Sequence, residues 1–332
     1  MKRINFLVSV LAVFIAMLPL VSWTQYRGIR GDANGDGRVN INDVTTVINY
    51  LLSGDGSSID LSAADLDGNG TVKINDVTEL INLLLNGLHS TEIKRFEVNG
   101  VKFTMVRVEP GTFLMGATPE QGGDTTAAGS GNYYAIHAHY VTLTKPFYIG
   151  QTEVTQELWE AVMGNNPSAY ISPQNPVNMV GDYWCNMFFM YLKDITGLQF
   201  RLPTEAEWEF AARGGNYSGG YRYAGSDNLD EVAWYRDNTG GNTLRPVGQK
   251  KPNELGLYDM SGNADELVQD FFQSYSFASQ TDPCNLTNNG LSIMRGGSCS
   301  DLADGCRVSV RHRLNTGMYG AQMTLRMVLD AE

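Results

Sequence analysis

The feature that most constrains this chain is a repeat with a period of 33 residues near its N-terminus. Asp32, Asn34, Asp36, Gly37, Arg38, Val39, Asn40 and Asp43 return as Asp65, Asp67, Asn69, Gly70, Thr71, Val72, Lys73 and Asp76. Each copy places oxygen side chains at positions 1, 3, 5 and 12 of a twelve-residue loop, with glycine at position 6 for a sharp turn. Such a donor set suits a hard cation that takes six to eight oxygens, so both loops are expected to bind calcium. Position 7 donates a backbone carbonyl, which is why Arg38 and Thr71 are tolerated there, and Asn40 stands at position 9. A segment that must fold twice around a cation is a small module of its own.

An amphipathic helix is expected after each loop. Val44, Val47, Ile48, Leu51 and Leu52 follow helical spacing, and Val77, Leu80, Ile81, Leu84 and Leu85 repeat it. Gly54 and Gly87 fall where these helices should stop. The loops have EF-hand spacing, yet the helix that normally precedes such a loop is missing; only a polar stretch around Ser57–Ser62 stands before the second. Two loop-plus-one-helix units in this order resemble a type I dockerin. The resemblance implies calcium-dependent binding to a cohesin domain of a scaffold protein, in a cellulosome-like, polysaccharide-degrading assembly. It places partner choice at Ile41–Asn42 and Ile74–Asn75, and the near identity of the halves would permit two binding orientations. The alternative is that calcium only folds a spacer.

Charge supports this address for the acids. The chain has 332 residues and a net charge of −12. Residues 25–90 contain nine acids and four bases, and six of those acids sit in the two loops. An acidic chain without a basic face is not a nucleic-acid binder. At the N-terminus, Lys2 and Arg3 precede an apolar run from Ile4 to Trp23, the pattern of a signal peptide cleaved near Thr24–Gln25. An uncleaved anchor is the alternative, and no other segment is apolar enough to span a bilayer. Export to the periplasm, cell surface or medium follows. Four cysteines in an exported chain permit two disulfides.

The expected organisation is a signal peptide at 1–24, a calcium module at 25–88, a linker at 89–94 and a second domain at 95–332. Local signals in the second domain are a hairpin over Val106–Gly116 and three helices. Thr155 caps the first, with Val154 and Trp159 as a staple and Gly164 as the stop. The second spans about Asp182–Thr196 and buries Cys185, Phe188, Phe189 and Leu192. Thr204 and Glu207 form a capping box for the third, which ends at Gly214–Gly215. GTFLMG at 111–116, EVTQELWEAVMGNNPS at 153–168, RLPTEAEWEFAARGG at 201–215, PNELGLYDMSGN at 252–263, RGGS at 295–298 and LRMVLD at 325–330 together resemble the formylglycine-generating enzyme, or sulfatase-modifying factor, family. The fold this implies is a loop-rich α+β domain related to C-type lectins, which suits the 36 glycines of the chain. The whole is then multidomain, a small all-α EF-hand-like module followed by that α+β domain.

The family's enzymes oxidise a sulfatase cysteine with copper and oxygen, using two cysteines five apart just after Gly-Gly-Ser. Counting from Ser298, those positions hold Asp301 and Cys306, while Cys299 takes a place usually aromatic. One thiolate and a carboxylate do not make a copper(I) site. Cys299, Cys306 and Ser298 are therefore catalytic candidates only under the oxidase alternative, in which the chain matures exported sulfatases and recognises a sulfatase peptide. Otherwise the cysteines are expected in disulfides, Cys185 with Cys306 and Cys284 with Cys299, and the domain is expected to bind a ligand or carbohydrate. The resemblance also implies a third calcium held by Asp259, Gly262, Ala264 and Glu266; the competing reading has Glu266 paired with an arginine or capping a helix. Arg311, His312 and Arg313 are expected to be solvated, and His137 and His139 to form a surface pair or a metal site. No Ser/His/Asp order, phosphate loop or glycosidase-like carboxylate pair is present to argue another chemistry.

Overall fold

The computed structural model describes residues 28–29, 31–35, 39–66, 70–86, 91–117, 133–134, 138–241 and 243–331. The apolar leader, Asp36, Arg38, Asp67, Asn69, Gly87 and His137 lie outside the described residues.

The first module is built on a helix after each loop. A two-residue strand β1 (Gly28–Ile29) precedes helix α1 (Ile41–Ser53); α2 (Leu61–Ala64) and α3 (Ile74–Asn86) follow. Asn40 caps α1 by accepting from the Asn42 backbone N–H, and Gly54 stops it in the left-handed region. The loops before α1 and α3 pack through Ala33, Val44, Val47, Leu66, Val77 and Leu80 into one small core. One expectation is corrected here. A one-turn helix, α2, does stand before the second loop, because Asp60 accepts from the Ser62 and Ala63 N–H groups. And the apolar stripe outruns the core: Ile48, Leu51 and Ile81 are over one-third exposed and Leu52 is 82% exposed. A unit of this size has room beneath α1 for only its first turns.

The second module begins at once. Strand β2 (Glu92–Val98) turns through Asn99 and Gly100, both at positive φ, into β3 (Val101–Val108), and β4 (Gly111–Met115) follows. The hairpin is thus β2–β3. β3 and β4 join different sheets, so the expected Val106–Gly116 hairpin is not formed. The expected linker is corrected too: Glu92–Lys94 belong to β2, and β1 pairs antiparallel with its start. The strands continue as β5 (Tyr133–Tyr134), β6 (His139–Leu143), β7 (Phe147–Gly150), β8 (Phe200–Arg201), β9 (Asp265–Phe271), β10 (Gln280–Thr281), β11 (Leu291–Arg295), β12 (Arg311–Asn315), β13 (Met323–Leu325) and β14 (Val328–Asp330). Their sheets run β1-β2-β3-β7-β14-β8, β10-β6-β4 and β13-β9-β11-β12-β5.

Three helices cover the sheets as the local signals require: α4 (Gln156–Met163), α5 (Asp182–Thr196) and α6 (Glu205–Ala212). Thr155 accepts from the Leu158 N–H, and Thr204 with Glu207 forms the capping box. Trp159 and Phe188 stack between α4 and α5 in one core, while Trp208 and Phe210 of α6 lie in the other.

Candidate functional site

In the two repeated loops the described donors are buried, although the segment is strongly acidic. Asp32 and Asp65, at position 1, and Asp43 and Asp76, at position 12, are all at most 6% exposed. The position-12 carboxylates sit in the first turn of α1 and α3. Asp43 accepts N–H bonds from Asn34 (3.1 Å) and Asn40 (2.8 Å); Asp76 accepts them from Leu66 and Lys73 (both 2.8 Å). Asp65 accepts from the Gly70 N–H at 2.8 Å. Buried carboxylates brought to each loop by its two ends, oriented by backbone amides, are a fitting donor set for calcium. Thr71 is exposed in the second loop. The residues after position 9 point outward: Ile41 is 67% and Ile74 66% exposed, beside exposed Asn42 and Asn75.

The second loop is tied to the second module. Arg95 of β2 donates to the backbone carbonyls of Ser62 and Asp65, the latter at 2.8 Å. Its guanidinium also lies 3.9 Å from the Asp65 carboxylate.

In the second module, α6 and the five-stranded sheet enclose a network of buried ion pairs. Glu205 receives two bonds from Arg311, and Glu209 is bonded by Arg213 and Arg295. Glu266 receives Arg326 through Nε (2.8 Å) and Nη2 (2.6 Å), and the Trp208 Nε1–H at 2.7 Å. Arg326 donates further to the carbonyls of Gly150 and Tyr258, each at 2.8 Å. Glu266 is thus paired with an arginine, as the competing reading has it. Its carboxylate is engaged at both oxygens, while the Asp259 Oδ1 and the Glu153 Oε2 nearby are buried without a hydrogen bond. Asp259 instead accepts from the Gly248 N–H at 2.7 Å, and burial pushes its carboxyl up to about 6. Glu153 is also fully enclosed, and burial with the nearby Asp259 raises its pKa well above the usual range. Both carboxylates lie near Arg326.

The cysteines do not pair. Cys185, Cys299 and Cys306 are buried free thiols and Cys284 is an exposed one, so the expected Cys185–Cys306 and Cys284–Cys299 disulfides are corrected. Cys185 packs on α5 in one core, Cys306 against Tyr223 and Tyr235, and Cys299 beside Leu244 and Ala264. Burial pushes the Cys299 thiol up to about 11 and Cys306 well above its ordinary value, so both are held as neutral thiols. Asp301 accepts from the Ser298 N–H (2.8 Å) and its Oγ–H (2.6 Å), which occupies the serine. This donor set does not fit copper(I), which needs thiolates.

Other expectations shift. Arg311 and His312 are buried, at 1% and 5% exposure, because the former pairs with Glu205 and the latter faces Asp265. His139 is buried on β6 against the Tyr275 ring and 3.2 Å from the Gln280 amide oxygen. Sequence reading missed Asp265 altogether.

Residues 89–331 match the model of the sulfatase-modifying factor enzyme 1-like domain, and residues 30–85 match the type I dockerin domain. The chain therefore belongs to the sulfatase-modifying factor family and carries a dockerin module ahead of that domain. It is 33% identical over 237 residues to a chaperone protein LppX of Paenibacillus barcinonensis, covering 57% of this chain and 81% of the relative. It is 33% identical to a formylglycine-generating enzyme of Streptomyces coelicolor, over 40% of this chain and 47% of that one. An inactive Cα-formylglycine-generating enzyme 2 of Mus musculus is 35% identical over 38% of this chain and 37% of its own length. The chain thus spans less than half of either of these two. Among solved structures it is similar to Treponema denticola variable protein 1, with a TM-score of 0.63 and 28% identity, covering 72% of this chain and 99% of that one. Dockerin domains generally bind calcium and cohesins. Among the described residues, no helix is long and apolar enough to cross a membrane.

Proposed function

We propose that this protein is an exported, calcium-loaded docking protein. Its first module is an EF-hand-like pair of loops that binds two calcium ions and docks to a cohesin in a polysaccharide-degrading assembly. The observation that carries this reading is the match between the halves. Ile41 and Ile74 are equally exposed beside buried Asp43 and Asp76, so either half could meet a partner while calcium holds the backbone beneath it. The exposed Ile48, Leu51 and Leu52 extend the same helix face with apolar surface. Dockerin modules occur in extracellular proteins, which agrees with the basic and apolar leader.

The second module, read as a C-type-lectin-related fold, serves as a cargo or recognition domain for a ligand or carbohydrate and not as a copper oxidase. Two buried neutral thiols, with a carboxylate where a thiolate is required, support that reading. Titration calorimetry of the full chain against cohesins of the source organism, with calcium and then with chelator, tests the docking. Binding that vanishes with chelator is expected; no binding to any cohesin refutes it. Incubation with copper and a Cys-x-Pro-x-Arg peptide tests the oxidase alternative, and aldehyde seen by mass spectrometry would overturn the second part.

A further inference from the structure

Arg95 is a cation standing where another cation is expected. In β2, Phe96 and Val98 turn into the core that holds Trp159, so Arg95, at odd spacing from both, faces the other way. On that side the one-turn helix α2 ends at Asp65, the first residue of the second loop. The Arg95 guanidinium donates to the Ser62 and Asp65 carbonyls, groups that a helix end leaves without helical partners. It also stands 3.9 Å from the Asp65 Oδ2, the oxygen that accepts from the Gly70 N–H at 2.8 Å. The Asp65 side chain is 7% exposed and that of Arg95 19%, so water and salt screen this pair only in part.

A calcium ion in the second loop would draw on the same carboxylate. Asp65 is position 1, and Asp76 closes the loop from α3, held by the Leu66 and Lys73 N–H groups. The loop carries three acids, Asp65, Asp67 and Asp76, whose charges repel when no cation is bound, and the Arg95 charge offsets one of them. With calcium in the loop, the guanidinium becomes a like charge beside the ion. A cavity of about 470 Å³ between the modules, walled in part by Ser62, Asp65, Arg95, Thr104 and Glu157, gives the side chain room to swing away and an acid to turn toward. Among its described contacts Arg95 reaches the second loop and not the first.

We infer that Arg95 competes with calcium for Asp65: it clamps the start of the calcium-free second loop to the second module, and calcium loading releases the guanidinium from the carboxylate. Arg95 thereby raises the calcium concentration at which the second loop fills. The coupling is reciprocal, so whatever factor Arg95 removes from calcium affinity, calcium removes from the clamp. Calcium then sets how firmly the docking module is held to the domain behind it. A partly screened like charge at this range is worth about tenfold in affinity for a divalent ion. This inference rests on the reading of the repeats as calcium loops.

The test uses the full chain, stripped with chelator and titrated with calcium alone. Hydrogen exchange is read separately over residues 39–53 and 70–86, so that each loop with its helix gives its own calcium midpoint. Arg95→Gln removes the charge and keeps a donor; its second-loop midpoint should fall about tenfold while the first stays within about twofold. Arg95→Lys keeps the charge and should stay within about threefold of wild type. Near-ultraviolet circular dichroism establishes that the second module is intact in both variants. The inference is overturned if Arg95→Gln leaves the second midpoint unchanged or raises it, if both midpoints move together, or if Arg95→Lys shifts it as far as Arg95→Gln. Wild-type loops that gain no protection with calcium would refute the calcium reading, and this inference with it.

Discussion

Replacing Glu266 by Gln is the sharpest probe of the second module, because it separates an arginine pair from a calcium ligand. Glu266 and Arg326 are both fully buried, and the carboxylate accepts three bonds from Arg326 and Trp208. The amide keeps the shape but loses the charge and turns one acceptor into a donor facing Arg326. Breaking a buried pair from one side costs about 3–5 kcal/mol. Arg326 keeps its bonds to Gly150 and Tyr258 and lies near Glu153 and Asp259, which can take up part of the lost charge. The lower end, about 3 kcal/mol, is therefore expected, or roughly 6–12 °C in Tm for a domain of this size. Thermal and denaturant unfolding should be followed by Trp fluorescence, in calcium and again in chelator. The loss should be the same in both conditions. A change under about 1 kcal/mol, or a loss seen only with calcium present, would refute the pairing and restore the calcium reading.

Chelation should remove much of the α-helical signal of α1 and α3, because that module's core is thin, while the near-ultraviolet signal of the second module persists; hydrogen exchange by segment checks this. Ile41→Asp or Ile74→Asp alone should leave cohesin affinity within about threefold, whereas the double variant should lose it, because each half offers one orientation; calorimetry decides. Asp259 has its pKa raised to about 6 from 3.8, so the folded state holds its proton more tightly and this group's contribution to stability falls as pH rises from about 4 to 6. Asp259→Asn should remove that component, and its stability relative to wild type should grow with pH over this window in denaturant titrations. Arg95→Ala should loosen the second loop from β2 while the β1–β2 pairing holds, seen as faster hydrogen exchange over residues 61–76 without a lower Tm of the second module.

Much of this molecule was legible because its signals are local. The dockerin repeat, the Thr155 cap, the Thr204–Glu207 capping box and the glycine stops after α1, α4 and α5 each depend on residues a few positions apart. Backbone geometry alone links such residues, so spacing is enough. The apolar stripe of α1 was legible as a face, but periodicity does not say how much core lies beneath it. The linker was misplaced because a polar, charged strand such as β2 looks like a connection until β3 pairs with it.

The sites of the second module needed the tertiary structure. Glu266 meets Arg326 across 60 positions, and Asp265 meets His312 across 47. Sequence determined which side chains were available: carboxylates, imidazoles, thiols without their partner. The packing of α6 on one face of the sheet decided which of them would pair. A one-residue alternation in β9 and β12 then sent Glu266 and Arg311 into ion pairs and left Asp265 and His312 facing Asp301. The four cysteines make the same point. Their even number suggested disulfides, but folding buries Cys185, Cys299 and Cys306 as free thiols in separate apolar clusters.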